Sequence, residues 1–336
     1  RRQRQMCIRD RYGGNLTAWD GRQDGRNAAF NNLLIASGRK YLRWPGGSWG
    51  DAYLWSDMEG PNGTNGWIVS YDETLYLLDQ ISRPGEAVAP TLQPIVNFPG
   101  NWYGYTDSQG NYRYQEHGHE AAVAAAVAWV QDQSGRVTTA PYWEIGNEIG
   151  GFWEEGWFEG ISGTYYGDYF ANFYLAMKAV NPDIKIGACA EPYDRLGAGG
   201  QWDYAGHWDI ELLEAAYAKG VVPDFLIIHQ YPGTGRPASY NPTLLSAGVN
   251  DIAQFTSNMN DLIETTLGSS YVGQIRYWMT EWDCGNDEND AYRRKDAYVN
   301  AMFQLQYTLE MARCNWEGST PWTESAYNQT NFEVYP

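Results

Sequence analysis

Apolar residues along the chain recur in short strand-like runs, and most runs are followed by a segment with the periodicity of an amphipathic helix. In the first such segment, over 25–37, Phe30, Leu33 and Leu34 share one face and Gly38 can end the helix. Further helices are predicted over 71–82, 119–132, 166–180, 209–219, 250–267 and 290–312. Strands are predicted at 12–19, 40–44 and 93–98, up to 147–148, at 184–190 and 224–229, up to 281, and near 316–322.

This alternation of strands and helices predicts an α/β fold with a parallel sheet. About eight strand–helix units in a chain of 336 residues fit a (β/α)8 TIM barrel. A doubly wound open sheet is the alternative, and it is disfavoured because no glycine-rich phosphate loop follows the first strand. In a barrel, the residues that follow the strands meet at one face, where active sites assemble. Side chains at strand ends are therefore the first candidates for chemistry.

The charge of the chain separates its first residues from the rest. Residues 1–11 hold five Arg and one Asp, whereas the whole chain has a formal net charge of -18. We therefore expect 1–11 to be a non-native leader and 12–336 to be the (β/α)8 catalytic domain. The acidic balance argues against nucleic acid and anionic membranes as partners. The sequence has no run of eighteen apolar residues, so no transmembrane helix is predicted.

Two glutamates stand at the ends of strand-like runs that are otherwise largely apolar. Glu148 ends the run that begins at Tyr142, and Glu281 lies near the end of the run that begins at Ile275. Two carboxyl groups facing one cleft can divide glycosidic-bond hydrolysis, because one donates a proton while the other attacks or activates water. Exposed surface carboxylates are the alternative, although few of those end apolar strands. Apolar neighbours such as Trp143, together with the charge of Glu281, are expected to raise the pKa of Glu148.

Aromatic residues give a second indication of the kind of ligand. The chain has 16 Trp and 26 Tyr, more than core packing alone requires, and flat rings stack on the apolar faces of sugars. Two long segments, 100–118 and 150–166, are rich in aromatic residues, and loops of this length are usually functional. We expect them to be walls of a sugar-binding cleft that includes Trp102 and Trp153. Self-packed surface loops are the alternative.

Several motifs resemble the clan A retaining glycoside hydrolases. They are Leu42-Arg43-Trp44-Pro45-Gly46-Gly47-Ser48, Trp143-Glu144-Ile145-Gly146-Asn147-Glu148, Ile228-His229-Gln230-Tyr231 and Met279-Thr280-Glu281-Trp282. With the opening Asn15-Leu16-Thr17-Ala18-Trp19-Asp20-Gly21, the chain most resembles α-L-arabinofuranosidase-like proteins of family 51 and their relatives. The likeness covers nearly the whole chain from about residue 12 and is more specific for the clan than for the substrate. It implies a barrel that hydrolyses O-glycosidic bonds of plant cell-wall polysaccharide or its oligosaccharides with retention, without a cofactor.

The resemblance also implies a role for each matching residue. Glu148 would be the general acid/base and Glu281 the nucleophile. Asn147 would bond the 2-hydroxyl group of the sugar, and Arg43 would hold the carboxylate of Glu281. Glu144, on the same side of its strand as Glu148, is expected to be structural and paired with an arginine. The remaining site residues would be His229 and Tyr231, which line the site near Glu281, and Trp322, a stacking floor for the sugar.

The chain departs from family 51 in its length. Those enzymes usually carry a β-sandwich beside the barrel, whereas this chain ends fourteen residues after Trp322. We therefore expect either a barrel-only relative or a fragment. Secretion is inferred from substrate size alone, since a cell cannot import a wall polymer intact, and the oligomeric state is not indicated.

Two polar segments resemble metal sites, but neither has the expected pattern. His117-Gly118-His119-Glu120 precedes an Ala-rich helix, so a helix start with an acidic first turn is favoured. The segment 283–290 offers oxygen ligands for calcium without the EF-hand spacing, so a solvated loop is favoured. No metal is predicted. Whether Cys284 and Cys314 pair is left open.

Other functions remain beside the arabinofuranosidase-like one. An endo-β-1,4-glucanase or xylanase is favoured by the long aromatic segments, which suggest several sugar subsites. A non-catalytic carbohydrate-binding barrel would bind sugar without turnover. A metal-dependent hydrolase that uses His117 and His119 would lose its activity with a chelator.

Overall fold

The computed structural model describes most of the chain. The described residues are 12–56, 69–82, 90–106, 112–137, 139–154, 161–191, 194–196, 201–203, 207–232, 241–284 and 298–322. The predicted leader 1–11, most of the acidic segment 283–290 and the beginning of the helix predicted over 290–312 lie outside these residues.

Eight parallel strands form one sheet, and their order in the sheet is their order along the chain. A parallel bridge between Tyr12 and Ser319 joins the last strand to the first. The predicted TIM barrel is confirmed, and the doubly wound alternative is excluded because the strand order never reverses. The strands are β1 (Gly13–Asn15), β2 (Tyr41–Trp44), β3 (Thr91–Val96), β4 (Tyr142–Ile145), β5 (Lys185–Cys189), β6 (Phe225–Gln230), β7 (Arg276–Trp282) and β8 (Gly318–Ser319).

The helices alternate with the strands as the periodicity predicts, with ends shifted by a few residues. The long helices are α1 (Ala28–Ser37), α2 (Tyr71–Ile81), α3 (Gly118–Ser134), α4 (Gly163–Val180), α5 (His207–Ala218), α6 (Val249–Leu267) and α7 (Tyr298–Arg313). Short 3-10 turns occupy Gly21–Gln23, Gly47–Asp51 and Ser269–Tyr271, and a helical turn at Asn241–Thr243 and a π-helical turn at Leu244–Gly248 lead into α6. None of the described helices combines the length and the apolar composition needed to cross a membrane.

Local sequence explains where α1 begins and ends. The side chain of Asn27 accepts hydrogen bonds from the backbone N–H groups of the first turn, and Gly38 ends the helix with a φ of 68°. Phe30 and Leu34 are buried as predicted, but Leu33 is 43% exposed. The predicted apolar face was too wide, because adjacent helix residues point about 100° apart.

The segment 100–118 was predicted to be a loop, but it contains two strands. Asn101–Thr106 and Tyr112–Glu116 form an antiparallel hairpin directly after β3. Closely spaced aromatic residues favour a strand over an irregular loop, since such side chains fit a pleated surface. A second small hairpin joins Asp194–Leu196 to Gln201–Asp203 after β5.

Aromatic rings fill the barrel near the beginnings of the strands. Four of them contact one another with ring centroids between 4.5 and 5.9 Å apart: Tyr41, Tyr142, Phe225 and Trp278. Glycines make room for these rings. A Cβ atom on Gly187 would lie 2.1 Å from the ring of Phe225, and one on Gly318 would lie 2.3 Å from that of Trp278. Part of the aromatic excess is thus core packing.

Toward the carboxyl ends of the strands the interior becomes polar. Arg43, Gln93 and Glu144 are buried on three neighbouring strands, and Arg43 and Gln93 both donate hydrogen bonds to Glu144. The side chain of Asn15 on β1 donates to the backbone oxygens of Thr280 and Thr320, at 2.8 and 2.9 Å, and so ties the first strand to the last two. The aromatic layer closes one end of the barrel, and the polar layer supports the other.

No disulfide joins Cys189, Cys284 and Cys314 to one another. The disulfide between Cys284 and Cys314 that the sequence left open is therefore not formed. Cys189 is buried, as expected for a small apolar residue on a strand.

Replacing Gly187 by Ala is expected to reduce the free energy of unfolding by about 1–3 kcal/mol, because the added methyl group overlaps the ring of Phe225 inside a packed barrel. Urea denaturation measures this change. Gly135→Ala is the matched control, since its Cβ would approach only Asp132 O at 3.4 Å and should change stability by roughly 0.5 kcal/mol or less. Equal losses for the two variants would contradict the packing argument.

Candidate active site

Arg43 on β2 is fully buried, and its guanidinium group contacts four side chains. Nε donates to the two carboxylate oxygens of Glu144 at 3.0 and 2.9 Å. Nη1 donates to Glu281 Oε1 at 2.7 Å and to Asn15 Oδ1 at 2.9 Å, and Nη2 donates to Asn147 Oδ1 at 2.8 Å. Arg43 therefore lies against Glu281 as predicted, and it is also the arginine that pairs with Glu144. We call these five residues the Arg43 network.

The Arg43 network places one cation against two carboxylates in a dry interior. Burial alone would lower the pKa of Arg43, but the charges of Glu144 and Glu281 outweigh it and raise that pKa above its ordinary value. Burial raises the pKa of Glu144, and the charge of Arg43 opposes the rise. Gln93 Nε2 donates a further hydrogen bond to Glu144 Oε1 at 2.8 Å. Each member therefore depends on the others for hydrogen-bond partners.

Glu281 lies near the end of β7, and both of its carboxylate oxygens have donors. Oε1 accepts from Arg43, and Oε2 accepts from the hydroxyl group of Tyr231 at 2.9 Å. The pKa of Tyr231 is raised by burial and by the nearby charge of Glu281, so its hydroxyl group keeps the proton that it donates. The two bonds fix the carboxylate of Glu281 in one orientation.

Glu148 follows β4 in an unusual backbone conformation, with a φ of 44°. Only a few per cent of non-glycine residues have positive φ, and such strain concentrates at functional sites. The turn brings Glu148 Oε1 to 2.7 Å from Nδ1 of His229 and Oε2 to 2.5 Å from Nε1 of Trp153. The other ring nitrogen of His229 lies 2.9 Å from Thr280 Oγ1. Both contacts of Glu148 link residues that the sequence analysis had placed in the site.

The expected rise in the pKa of Glu148 is wrong for this arrangement. Burial does raise it, but the hydrogen bond and charge of His229, with the hydrogen bond of Trp153, bring the pKa below its ordinary value. Trp143, which was expected to be an apolar neighbour, instead packs against Trp129 of α3 at a centroid distance of 5.3 Å. Adjacent strand residues alternate sides, so Trp143 points toward the helices.

The side chains of Glu148, Glu281 and His229 lie close together. A carboxylate oxygen of Glu148, one of Glu281 and a ring nitrogen of His229 all lie within 4.8 Å of one another. Such a set can ligate a divalent cation, although each group also has protein hydrogen bonds. The absence of a metal therefore stays a prediction. The same arrangement suits two carboxyl groups that act on one bond from opposite sides.

Three hydrogen bonds hold Asn147 in place. Its backbone N–H donates to Asp51 Oδ2 at 3.0 Å, and its Nδ2 donates to Glu154 Oε1 at 3.0 Å. Its Oδ1 accepts from Arg43. One Nδ2 hydrogen remains for a ligand, which is consistent with the predicted bond to a sugar hydroxyl group.

Trp322 lies against the turn that ends β2. Gly47 has a φ of 53°, and a Cβ atom there would come within 2.8 Å of the ring of Trp322. Gly46, with a φ of 85°, passes so close to β1 that a Cβ atom would lie 2.2 Å from Leu16 O. Both positions require glycine for close approach as well as for conformation. The role of Trp322 as a stacking floor stays a prediction.

The predicted place of Trp102 in the sugar-binding cleft stays a prediction. Its ring stacks on His117 at a centroid distance of 4.3 Å, on the hairpin after β3. His119 also has structural partners, since Nδ1 lies 2.9 Å from Phe98 O and Nε2 lies 2.7 Å from the hydroxyl group of Tyr165. The interpretation of this segment as a helix start is confirmed, because α3 begins at Gly118.

Three residues of the site escaped the sequence analysis: Asn15, Asp51 and Glu154. Asn15 lay inside a quoted motif, but nothing in the sequence showed that it reaches Arg43. Asp51 and Glu154 follow the ends of β2 and β4, which is the signal that drew attention to Glu148. They were missed because they lie several residues beyond the strands, in turns whose geometry the sequence does not reveal.

Comparison with known proteins gives distant relatives of one kind, although no family model matches the chain. The chain is 21% identical over 250 residues to an exo-α-(1→6)-L-arabinofuranosidase of Bifidobacterium longum, and this match covers 71% of the chain and 42% of that protein. It is 20% identical over 305 residues to an intracellular exo-α-(1→5)-L-arabinofuranosidase of Bacillus subtilis, and this match covers 83% of the chain and 53% of that protein. The chain thus spans about half the length of these curated relatives.

Solved structures agree with the sequence matches. A family 51 α-L-arabinofuranosidase from Bifidobacterium longum superposes with a TM-score of 0.66 at 16% identity, over 94% of this chain and 67% of that one. The chain is similar to arabinofuranosidases. A family 44 xyloglucanase from Paenibacillus polymyxa also matches, with a TM-score of 0.60 at 10% identity over 95% and 73%. At these identities the structural likeness establishes the shared barrel fold alone.

Replacing His229 by Gln is expected to raise the pKa of Glu148, because His229 makes the largest contributions that lower it. Trp153→Phe should raise it less, since only one hydrogen bond is lost. A carbon-13 NMR titration of the Glu148 carboxyl group measures both changes. A depressed pKa stabilises the fold above the ordinary value and loses that contribution as the pH falls through the folded-state pKa. The acid limb of stability should therefore be shallower in His229→Gln. An unchanged pKa in that variant would contradict the assignment.

Proposed function

We propose that this chain is a retaining glycoside hydrolase of the arabinofuranosidase type. The observation that carries the proposal is that a carboxylate oxygen of Glu148, one of Glu281 and a ring nitrogen of His229 lie within 4.8 Å of one another. Retaining enzymes need carboxyl groups about 5–5.5 Å apart, whereas inverting enzymes leave about 6.5–9.5 Å for a water molecule. The relatives found by sequence support the same chemistry, since their names describe arabinofuranosidases.

Glu281 is proposed to form the covalent intermediate. Its carboxylate attacks the anomeric carbon while Glu148 protonates the departing glycosidic oxygen, so one carbon–oxygen bond forms as another breaks. In the second step Glu148 takes a proton from water, the hydroxide oxygen attacks the anomeric carbon, and Glu281 leaves as a carboxylate. Two displacements on the same carbon retain its configuration.

The proton for the first step is proposed to come from the pair of Glu148 and His229. The lowered pKa of Glu148 favours its ionised form in the free site, where its Oε1 accepts a hydrogen bond from Nδ1 of His229. Transfer to Glu148 Oε1 then follows a hydrogen bond of 2.7 Å. Once the ester forms, Glu281 has lost its charge, and Glu148 is better able to remain ionised and act as the base.

Arabinose release is the favoured activity because the sequence relatives share it in their names. An endo-acting glucanase or xylanase is the second candidate, supported by the aromatic hairpin after β3 and by the fold shared with a xyloglucanase. The products distinguish the two, since only an exo-acting enzyme releases arabinose without a rapid drop in polymer viscosity. A barrel that binds sugar without turnover remains the outcome if no product forms.

The proposal covers the barrel and does not depend on secretion. The treatment of 12–336 as one catalytic domain stays a proposal, because the curated relatives are longer than this chain. Nothing in the comparisons supports the predicted secretion, and two of the curated relatives are named as intracellular. Short arabino-oligosaccharides are a substrate class that does not require it. The proposed partner is a saccharide, without nucleic acid or membrane.

Glu281→Gln is expected to lower reducing-sugar release from arabinan or arabinoxylan by roughly a thousandfold or more, because an amide cannot serve as the attacking carboxylate. Xylan and β-glucan test the endo-acting alternative in the same assay. Glu264→Gln, which replaces an exposed carboxyl group on α6, is the control and should keep wild-type activity. Equal activity in Glu281→Gln and the wild type would refute the assignment of the nucleophile.

A further inference from the structure

Two buried carboxyl groups beside Asn147 have no part in the bond-breaking steps above. Asp51, at the end of the turn Gly47–Asp51, is fully buried and accepts the backbone N–H of Asn147. Glu154, on the segment after β4, is 6% exposed and accepts the side-chain amide of Asn147 and, at 3.1 Å, the hydroxyl group of Ser48. Both groups therefore hydrogen-bond to the same residue, one at its backbone and the other at its side chain.

The charges around this pair are unfavourable for two carboxylates. Arg43 is the cation that acts on Asp51, but its guanidinium group already binds Glu144 and Glu281. The charges that act on Glu154 from the neighbouring strands are those of Glu148 and Glu281, and both are negative. Two neighbouring carboxyl groups that have no cation of their own in the described part of the chain do not both ionise.

One atom on each carboxyl group lacks a partner. Asp51 Oδ1 and Glu154 Oε2 are buried and have no hydrogen bond within the described part of the chain. An ionised carboxyl group only accepts, whereas a protonated one also donates. A single proton on Glu154 Oε2 would give Asp51 Oδ1 a donor and would satisfy both atoms. Asp51 is the better site for the charge, because it accepts the backbone N–H group of Asn147.

We propose that Asp51 and Glu154 share one proton at neutral pH, held on Glu154, and that neutral Glu154 is a positioning residue for Asn147. Burial raises the pKa of both groups, and that of Glu154 to about 10, which agrees with this assignment. The shared proton rests on the contacts of both groups with Asn147 and on their two unpartnered oxygens. The positioning of a substrate contact rests on the proposed function.

The shared proton fixes the orientation of the Asn147 amide. Arg43 Nη2 donates to its Oδ1, and Glu154 Oε1 accepts one hydrogen of its Nδ2. Because the amide group is planar, these two bonds also set the direction of the second Nδ2 hydrogen. If Asp51 and Glu154 were both ionised, their repulsion would move Glu154 away and release this amide. Glu154 therefore acts on the sugar through Asn147 and does not touch the reacting atoms.

The pH dependence of folding tests the shared proton without any substrate. In the unfolded chain Glu154 ionises near 4.5, but in the folded chain it keeps its proton to about pH 10. Folding therefore takes up one proton between these values, and stability falls as the pH rises. From about pH 6 to 9, the folding constant of Glu154→Gln relative to that of the wild type should rise about tenfold per pH unit.

Variants of the partner complete the stability test. Asp51→Asn should remove the same pH slope, because an amide can donate to an ionised Glu154. The double variant should remove no more than either single one. Glu264→Gln is the exposed control and should keep the wild-type slope. Equal slopes in the wild type and Glu154→Gln would overturn the shared proton.

Turnover tests the positioning role. Gln keeps an oxygen that accepts from Asn147, whereas Leu does not. Glu154→Leu should therefore lose about 10- to 100-fold in kcat with little change in KM, and Glu154→Gln should restore most of that loss. Equal kcat values for Leu and Gln would overturn the positioning role. A wild type without activity on any glycan would refute the proposed function instead, and the pH slope would still decide the shared proton.

Discussion

The site depends on one buried ion-pair arrangement, in which Arg43 holds a structural and a functional carboxylate at once. Glu144 and Glu281 come from β4 and β7, and Arg43 reaches both from β2 with separate nitrogens of one planar group. A rigid fork suits this task better than the single ammonium of lysine. The geometry of Glu281 is therefore set by the barrel interior and not by a surface loop.

The rest of the barrel keeps the ion pairs of Arg43 buried and holds the strands that carry them in position. The aromatic layer around Trp278 closes the end at which the strands begin, and glycines such as Gly187 make room for its rings. Above it, Asn15 connects Arg43 to the backbone of the closing strands.

The sequence predicted the elements that have strong periodicity and the residues that end strands. The barrel, the pairing of Arg43 with Glu281 and the arginine partner of Glu144 followed from strand position and resemblance. The hairpin after β3 was missed because turn geometry inside an aromatic segment is not visible in a single sequence. The pKa of Glu148 was expected to move the wrong way, because His229 lies about 80 residues away along the chain and only the fold brings them together. Asp51 and Glu154 were missed because they lie several residues beyond the strands, in turns whose geometry a single sequence does not reveal.

The most direct test of the account is the free energy of unfolding of Arg43→Met by urea denaturation at neutral pH. If one buried cation compensates Glu144 and Glu281, its loss leaves both carboxylates unpaired and should cost about 3–5 kcal/mol. Arg136→Met, which removes an exposed pair with Asp132, should cost at most about 1 kcal/mol. A loss in Arg43→Met as small as in this surface variant would contradict the claim that the site is built on Arg43.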